Sequence, residues 1–170
     1  MKRLSLLIAA LIMWSIVIFP LSAQTPSGPS VKEIKGDDHI MMPGKRVGVI
    51  ELGANINNVE NLIGKGEIAP RKDFQIYHFM QYSIDVSVQK DTIIMILVTS
   101  RKYRTPEGFC VGGSISPVIR SYGKEYEYED IKGTNGEYLI QYWEKGIAFS
   151  VKQERITRIK IFNSRIGLKK

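Results

Sequence analysis

The chain has 170 residues, a formal net charge of +7 at pH 7, one cysteine and two histidines. A single cysteine excludes an intramolecular disulfide framework, and so few Cys and His leave little for a thiol nucleophile or an imidazole-rich metal centre. The positive charge is interspersed with acids rather than gathered in one block, so no nucleic-acid partner is expected.

Lys2 and Arg3 precede an apolar run from Leu4 to Phe19, and Pro20 ends any helix there because it lacks an N–H and clashes with the preceding turn. Leu21-Ser22-Ala23 then supplies small residues before Gln24. This order reads as a secretory signal peptide over residues 1–23. A spanning helix needs about 20 apolar residues, and this run is shorter and proline-ended, so membrane contact is expected only through the transient signal. Gln24 stands where a lipoprotein would carry cysteine, so the product is expected to be periplasmic or secreted. Residues 24–44 hold three of the seven prolines and, with Pro26-Ser27-Gly28-Pro29-Ser30, read as a flexible leader.

The rest of the chain resembles itself. Residues 52–65 align without a gap over residues 111–124: Gly53, Ile56, Val59, Gly64 and Lys65 match Gly112, Ile115, Val118, Gly123 and Lys124 at an offset of 59. A second block, Ile84 to Val88 and Ile93 to Val98, aligns over Ile147 to Val151 and Ile156 to Ile161 at an offset of 63. The extra residues fall at Gly133-Thr134-Asn135-Gly136, a turn that can accept an insertion. The spacing predicts two repeats, residues 45–104 and 105–163, followed by a basic tail over 164–170.

The first block predicts a short helix in each repeat. Ile56, Val59 and Ile63 share one helical face, as do Ile115, Val118, Ile119 and Tyr122. Asn57 and Ser116 are the expected N-caps, Pro117 the first helical residue, and Gly64 and Gly123 the C-terminal glycines. The second block predicts a hairpin. Ile84, Val86 and Val88 alternate with Asp85, Ser87 and Gln89, and Ile147, Phe149 and Val151 with Ala148, Ser150 and Lys152, and polar turns follow at 89–92 and 152–155. Earlier strands are expected near 76–79 and 138–143, and Glu125–Asp130 as an exposed edge strand. The fold class is therefore α+β: two tandem helix-plus-β-meander repeats forming one antiparallel sheet of about six to eight strands, with both helices on one face.

One difference between the repeats bears on function. Arg158 and Lys160 occupy the positions of Met95 and Leu97, so the first repeat's outer sheet face is expected to be apolar where the second's is charged. Exposed apolar clusters mark interfaces, which makes Met95 and Leu97 candidate partner-binding residues. Tyr142 and Trp143 join them, with Tyr82 and Tyr103, as aromatics able to line a ligand groove.

No chemistry-bearing constellation emerges. Cys110, flanked by Phe109 and Val111, is expected to be buried, and no local signature pairs it with His39 or His78 as a base. Gly36-Asp37-Asp38-His39 has no second ligand cluster, and Gly112-Gly113-Ser114 lacks the lysine of a phosphate loop. His78 is expected on the sheet surface. No catalytic, cofactor-binding or metal residues are assigned.

The Gly53 … Val59 … Gly64 spacing, ahead of a meander rich in aromatic and β-branched residues, resembles the SmpA/OmlA (BamE-like) domain of small outer-membrane lipoproteins. The doubled unit resembles the tandem-repeat beta-lactamase inhibitory proteins. The resemblance spans roughly residues 46–162 and implies a protein that works by contact rather than catalysis. It departs from the lipoproteins at Gln24, and it carries over no binding residue from the inhibitors. The expectation is an exported, non-enzymatic protein of the bacterial envelope that binds a protein partner. A small-molecule, lipid or peptidoglycan-binding module and a secreted enzyme inhibitor are the alternatives.

Overall fold

The computed structural model describes residues 39–164, so the expected signal peptide, most of the leader and the end of the basic tail lie outside the described residues. The described chain opens with a small antiparallel sheet of β1 (Met41–Met42), β2 (Arg46–Val47) and β3 (Ile50–Glu51). Helix α1 (Ile56–Ile63) follows, then β4 (Glu67–Pro70), β5 (Gln75–Phe79), β6 (Ile84–Gln89) and β7 (Thr92–Val98). Helix α2 (Ser116–Tyr122) comes next, then β8 (Glu127–Asp130), β9 (Glu137–Tyr142), β10 (Ile147–Lys152) and β11 (Arg155–Phe162).

The last eight strands form one antiparallel sheet in the order β4-β5-β6-β7-β11-β10-β9-β8. Two meanders thus join through their final strands, with Val98 opposite Ile159, Leu97 opposite Lys160 and Met95 opposite Phe162. The edges are β4, which carries Pro70, and β8, whose four residues are all exposed and mostly acidic. Both features discourage a further strand from pairing there.

The alternation of side chains divides the sheet into two faces. On one, Val86, Ile96, Val98, Phe149, Ile159 and Ile161 are buried in a single cluster with Ile56 and Val59 of α1 and Ile115 and Val118 of α2. The helices therefore lie on the same face. They are short, at 8 and 7 residues, so the described chain is predominantly β. Helices of that length are marginal alone and are held by burial of their apolar stripe, each such side chain contributing roughly 1.5–3 kcal/mol.

The two meanders repeat each other in local detail. A 3₁₀ turn precedes β6 and another precedes β10, and each ends on a left-handed residue, Ser83 and Gly146. The hairpins turn through Lys90-Asp91 and Gln153-Glu154, all with positive φ, the conformation that matches the twist of the flanking strands. Register shifts fall between Ser87 and Val88 and between Ser150 and Val151. Each helix is tied to its own hairpin: the Ile56 N–H donates to Asp91 O (2.9 Å) and the Ile115 N–H to Glu154 O (3.1 Å).

Three local expectations need correction. The side chain capping α1 is Asn55, whose Oδ1 accepts from the Asn57 N–H at 2.9 Å; the N-cap position of α2 is Ile115, with no side-chain cap, and the Ser114 hydroxyl just before it accepts from the Ser116 N–H at 3.3 Å. The N-cap positions lie two residues before expected Asn57 and one before expected Ser116, because the hairpin contacts just described start each helix earlier. Residues 39–44, assigned to the leader, are part of the fold: Met41 is fully buried, and its N–H donates to Arg104 O at 2.8 Å. Cys110 is half-exposed rather than buried, since it lies in the loop before α2 and not on an inward-facing strand.

Candidate functional site

The face of the sheet opposite the helices is where function has room to reside. An antiparallel sheet solvated on one side normally presents polar residues there. Here Leu139, Ala148 and Phe162 are buried on that face, with Met95, Ile131 and Trp143 packed partly buried against them. The register explains the cluster. Phe162 lies opposite Met95 across the β7–β11 junction, and the Trp143 ring packs edge-on to Phe162 with centroids 5.0 Å apart.

The candidate residues separate accordingly. Met95, Leu97 and Trp143 are half-buried on this helix-free face. Tyr142 points the other way. It is 2% exposed, packs against Tyr122, Tyr126 and Phe149, and donates its hydroxyl to Gly123 O at 3.0 Å. Burial pushes the Tyr142 phenol up to about 12. Tyr82 and Tyr103 are also buried in the helix-side cluster, so the four aromatics do not form one groove. The expected contrast between the halves also needs correction: the second half is apolar at its centre through Leu139, Ala148 and Phe162, with charged Glu129, Glu137, Arg158 and Lys160 beside that centre. Alternation after Ile159 and Ile161 puts Phe162 on the outer face, but its place beside Met95 depends on the β7–β11 register.

Two adjoining depressions mark this face. One, of about 310 Å³, is lined by Phe74, Ile94, Met95, Trp143, Phe162 and Lys160 among others. The second, also about 310 Å³, is lined by Glu129, Lys132, Ser150, Arg158 and Lys160 with Ile131 and Leu139. Lys160 belongs to both. Burial lowers its ammonium pKa below the usual lysine value, the Arg158 cation acts in the same direction, and Glu129 and Glu137 oppose it. Glu137 is engaged elsewhere, since it accepts from Thr157 Oγ1 at 2.6 Å and from Arg158 Nη2 at 2.8 Å. These contacts hold its carboxyl below the usual range, the Thr157 hydrogen bond first among them. Lys160 itself makes no ion pair or hydrogen bond among the described residues. The Ser150 hydroxyl, 1% exposed, also lacks a hydrogen-bond partner.

No protein-family model and no curated protein sequence matches the chain. Likeness is found among solved structures. An extracellular protein containing an SCP domain from Bacillus anthracis superposes with a TM-score of 0.50 at 9% identity, over 66% of this chain and 44% of that one. A cysteine-rich secretory protein from Staphylococcus aureus gives 0.49 at 17% identity, over 73% and 49%. A DUF4309 family protein from Bacillus subtilis gives 0.49 at 14% identity, over 71% and 88%. The chain thus spans less than half the length of the first two. The first likeness is one of fold, and the other two carry no argument.

The remaining candidates lie elsewhere. His78, on the helix-free face, bonds through Nδ1 to Asp85 at 2.8 Å, and the His39 ring packs against Tyr103 at 5.4 Å. Neither is hydrogen-bonded to Cys110. Among the described residues no three His, Cys, Asp or Glu side chains converge as a metal site would require; Asp37 and Asp38 fall outside them. A third depression, of about 430 Å³, opens beside the end of α2 between Tyr122, Tyr126, Trp143, Glu125, Glu127 and Lys145. There Lys145 Nζ lies 5.1 Å from the centre of the Tyr122 ring, so that aromatic face already has a cation of its own.

Proposed function

We propose that this is an exported, non-enzymatic binding protein of the bacterial envelope, which meets a protein partner through the helix-free face of its sheet. One observation carries the reading. The centre of that face is an apolar cluster around Phe162, Met95 and Trp143, where solvent contact alone would favour polar side chains. Export is supported by the signal-like order of residues 1–23, and a fold neighbour is itself described as an extracellular protein. We read the two halves as copies of one helix-plus-meander unit. The support is the recurrence of turn, bulge and helix-to-hairpin contacts at the same two offsets that align the sequence.

The test is affinity capture of the tagged protein from its own cell envelope after crosslinking. One envelope protein should be enriched with the wild type and lost with Met95→Lys or Leu97→Lys. Equal capture by wild type and both variants would remove this face from the account. A second reading, a small-molecule or lipid ligand, is favoured by the two adjoining depressions on the same face.

A further inference from the structure

We propose that the two adjoining depressions together bind one single-chain amphiphilic anion. Its apolar chain lies along Met95, Trp143 and Phe162, and its carboxylate or phosphate head meets Lys160, Arg158 and the hydroxyl of Ser150. The inference rests on the reading of the helix-free face as the working surface, and it names the chemistry that this face selects.

A polar group buried without a partner is destabilising by about 1–3 kcal/mol, and more if charged. Ser150 Oγ is in that position, and half-exposed Lys160, which makes no direct ion pair among the described residues, lines the same depression. Ser150 is directly opposite Arg158 in the β10–β11 ladder. The cations there are Lys132, Arg158 and Lys160, and the carboxylates facing them are Glu129 and Glu137. Glu137 is held by Thr157 and Arg158 and Glu129 attracts Lys160, so three cations face two carboxylates and the depression keeps one positive charge in excess beside a hydroxyl able to donate. An oxyanion satisfies both.

The neighbouring depression supplies the other half of the ligand. Phe74, Ile94, Met95, Trp143 and Phe162 make it chiefly apolar, and Lys160 is its only charged side chain. At about 310 Å³ it falls in the range of small-ligand pockets, roughly 300–1,000 Å³. An apolar chain that ends at Lys160 places its head in the second depression. A cationic head would meet Lys160 and Arg158, and a headless hydrocarbon would leave Lys160 desolvated and unpaired. The occupant is a free amphiphile rather than a bilayer, because the site is two small depressions and not a broad basic surface.

The experiment is calorimetric titration of the purified protein with dodecanoate and with dodecyl phosphate, both kept monomeric. Dodecyltrimethylammonium, acetate and phosphatidylglycerol vesicles serve as comparisons. The two anions should bind and raise the melting temperature, while dodecyltrimethylammonium and acetate should not. Lys160→Met, which keeps the apolar stem, should weaken dodecanoate about tenfold or more, as loss of a charge-assisted hydrogen bond does. That variant should be at least as stable as the wild type without ligand, which separates lost binding from lost folding. Ser150→Ala should weaken binding by a smaller factor. Equal affinity for the cationic amphiphile, an unchanged dodecanoate affinity in Lys160→Met, or binding only to vesicles would overturn the inference. If neither anion binds while a partner protein is still captured through Met95 and Leu97, the ligand falls and the functional reading stands. If capture fails as well, both fall.

Discussion

Replacing Gly146 with alanine should be among the most damaging single-methyl changes in the molecule. Gly146 ends the 3₁₀ turn between β9 and β10 with φ 68° and ψ 38°. Its N–H donates to Tyr142 O at 3.0 Å, and its carbonyl accepts from the Gly44 N–H (3.1 Å) and the Phe162 N–H (3.0 Å). A Cβ added there would overlap the Phe162 carbonyl oxygen and come within 2.6 Å of the Gly44 Cα. All of these are backbone atoms and cannot rotate aside. The left-handed conformation accounts for roughly 1–2 kcal/mol in a non-glycine residue, yet Ser83 adopts it at φ 55° and ψ 46° in the matching turn. Conformation alone therefore does not require glycine; the approach of Gly44 and Phe162 does. Separating those segments forfeits two hydrogen bonds at roughly 1 kcal/mol each and adds overpacking strain of about 1–3 kcal/mol. These two contributions come to about 3–5 kcal/mol on top of the conformational cost. Gly136→Ala is the control, because Gly136 has a similar φ of 70° and open space around its Cβ position; it should lose only roughly 1 kcal/mol. Urea denaturation followed by circular dichroism measures both. If Gly146→Ala loses no more than Gly136→Ala, the close-approach argument is wrong.

The corrected helix start makes its own prediction. Asn55→Ala should lose about 1 kcal/mol as an N-cap, while Asn57→Ala should be near neutral in the same denaturation assay; the reverse order would restore Asn57 as the cap. Glu137 predicts a pH dependence. Its carboxyl is depressed in the folded state, so its stabilisation is present above the unfolded carboxylate range and is lost as pH falls through the folded value. Wild-type stability measured from pH 7 down to about pH 3 should therefore fall more steeply than that of Glu137→Gln, and parallel curves would contradict the Thr157 and Arg158 contacts.

Much of the fold is written locally. The 3.6-residue spacing of Ile56, Val59 and Ile63 marks α1, and positive φ at Gly64 and Gly123 ends both helices where the apolar stripe stops. The alternation in β6 and β10 marks their buried faces. What could not be read depends on partners distant in sequence. The joining of β7 to β11 places Phe162 beside Met95, and no local pattern shows that. The helix starts were misplaced, by two residues at α1 and one at α2, because Asp91 and Glu154 of the hairpins, far along the chain, receive the first N–H groups. Strands β1 to β3 are two residues each, too short for any periodicity to register, so Met41 was assigned to the leader although it is core. The division between Tyr142 and Trp143 was legible, since adjacent residues at a strand end face opposite sides; treating them as one aromatic pair hid it. Ser150 could not be singled out in the sequence, because its lack of a hydrogen-bond partner is a property of the packed face.

The account rests on the helix-free face being the surface that meets a partner or ligand. A photo-crosslinking residue placed at Leu97 tests this in living cells, with the same residue at exposed Leu62 on α1 as the comparison. Adducts that form at position 97 and not at position 62, and that disappear with Met95→Lys in the same chain, are the predicted result. Adducts at position 62 with none at 97 would place the working surface on the helix side and contradict the account.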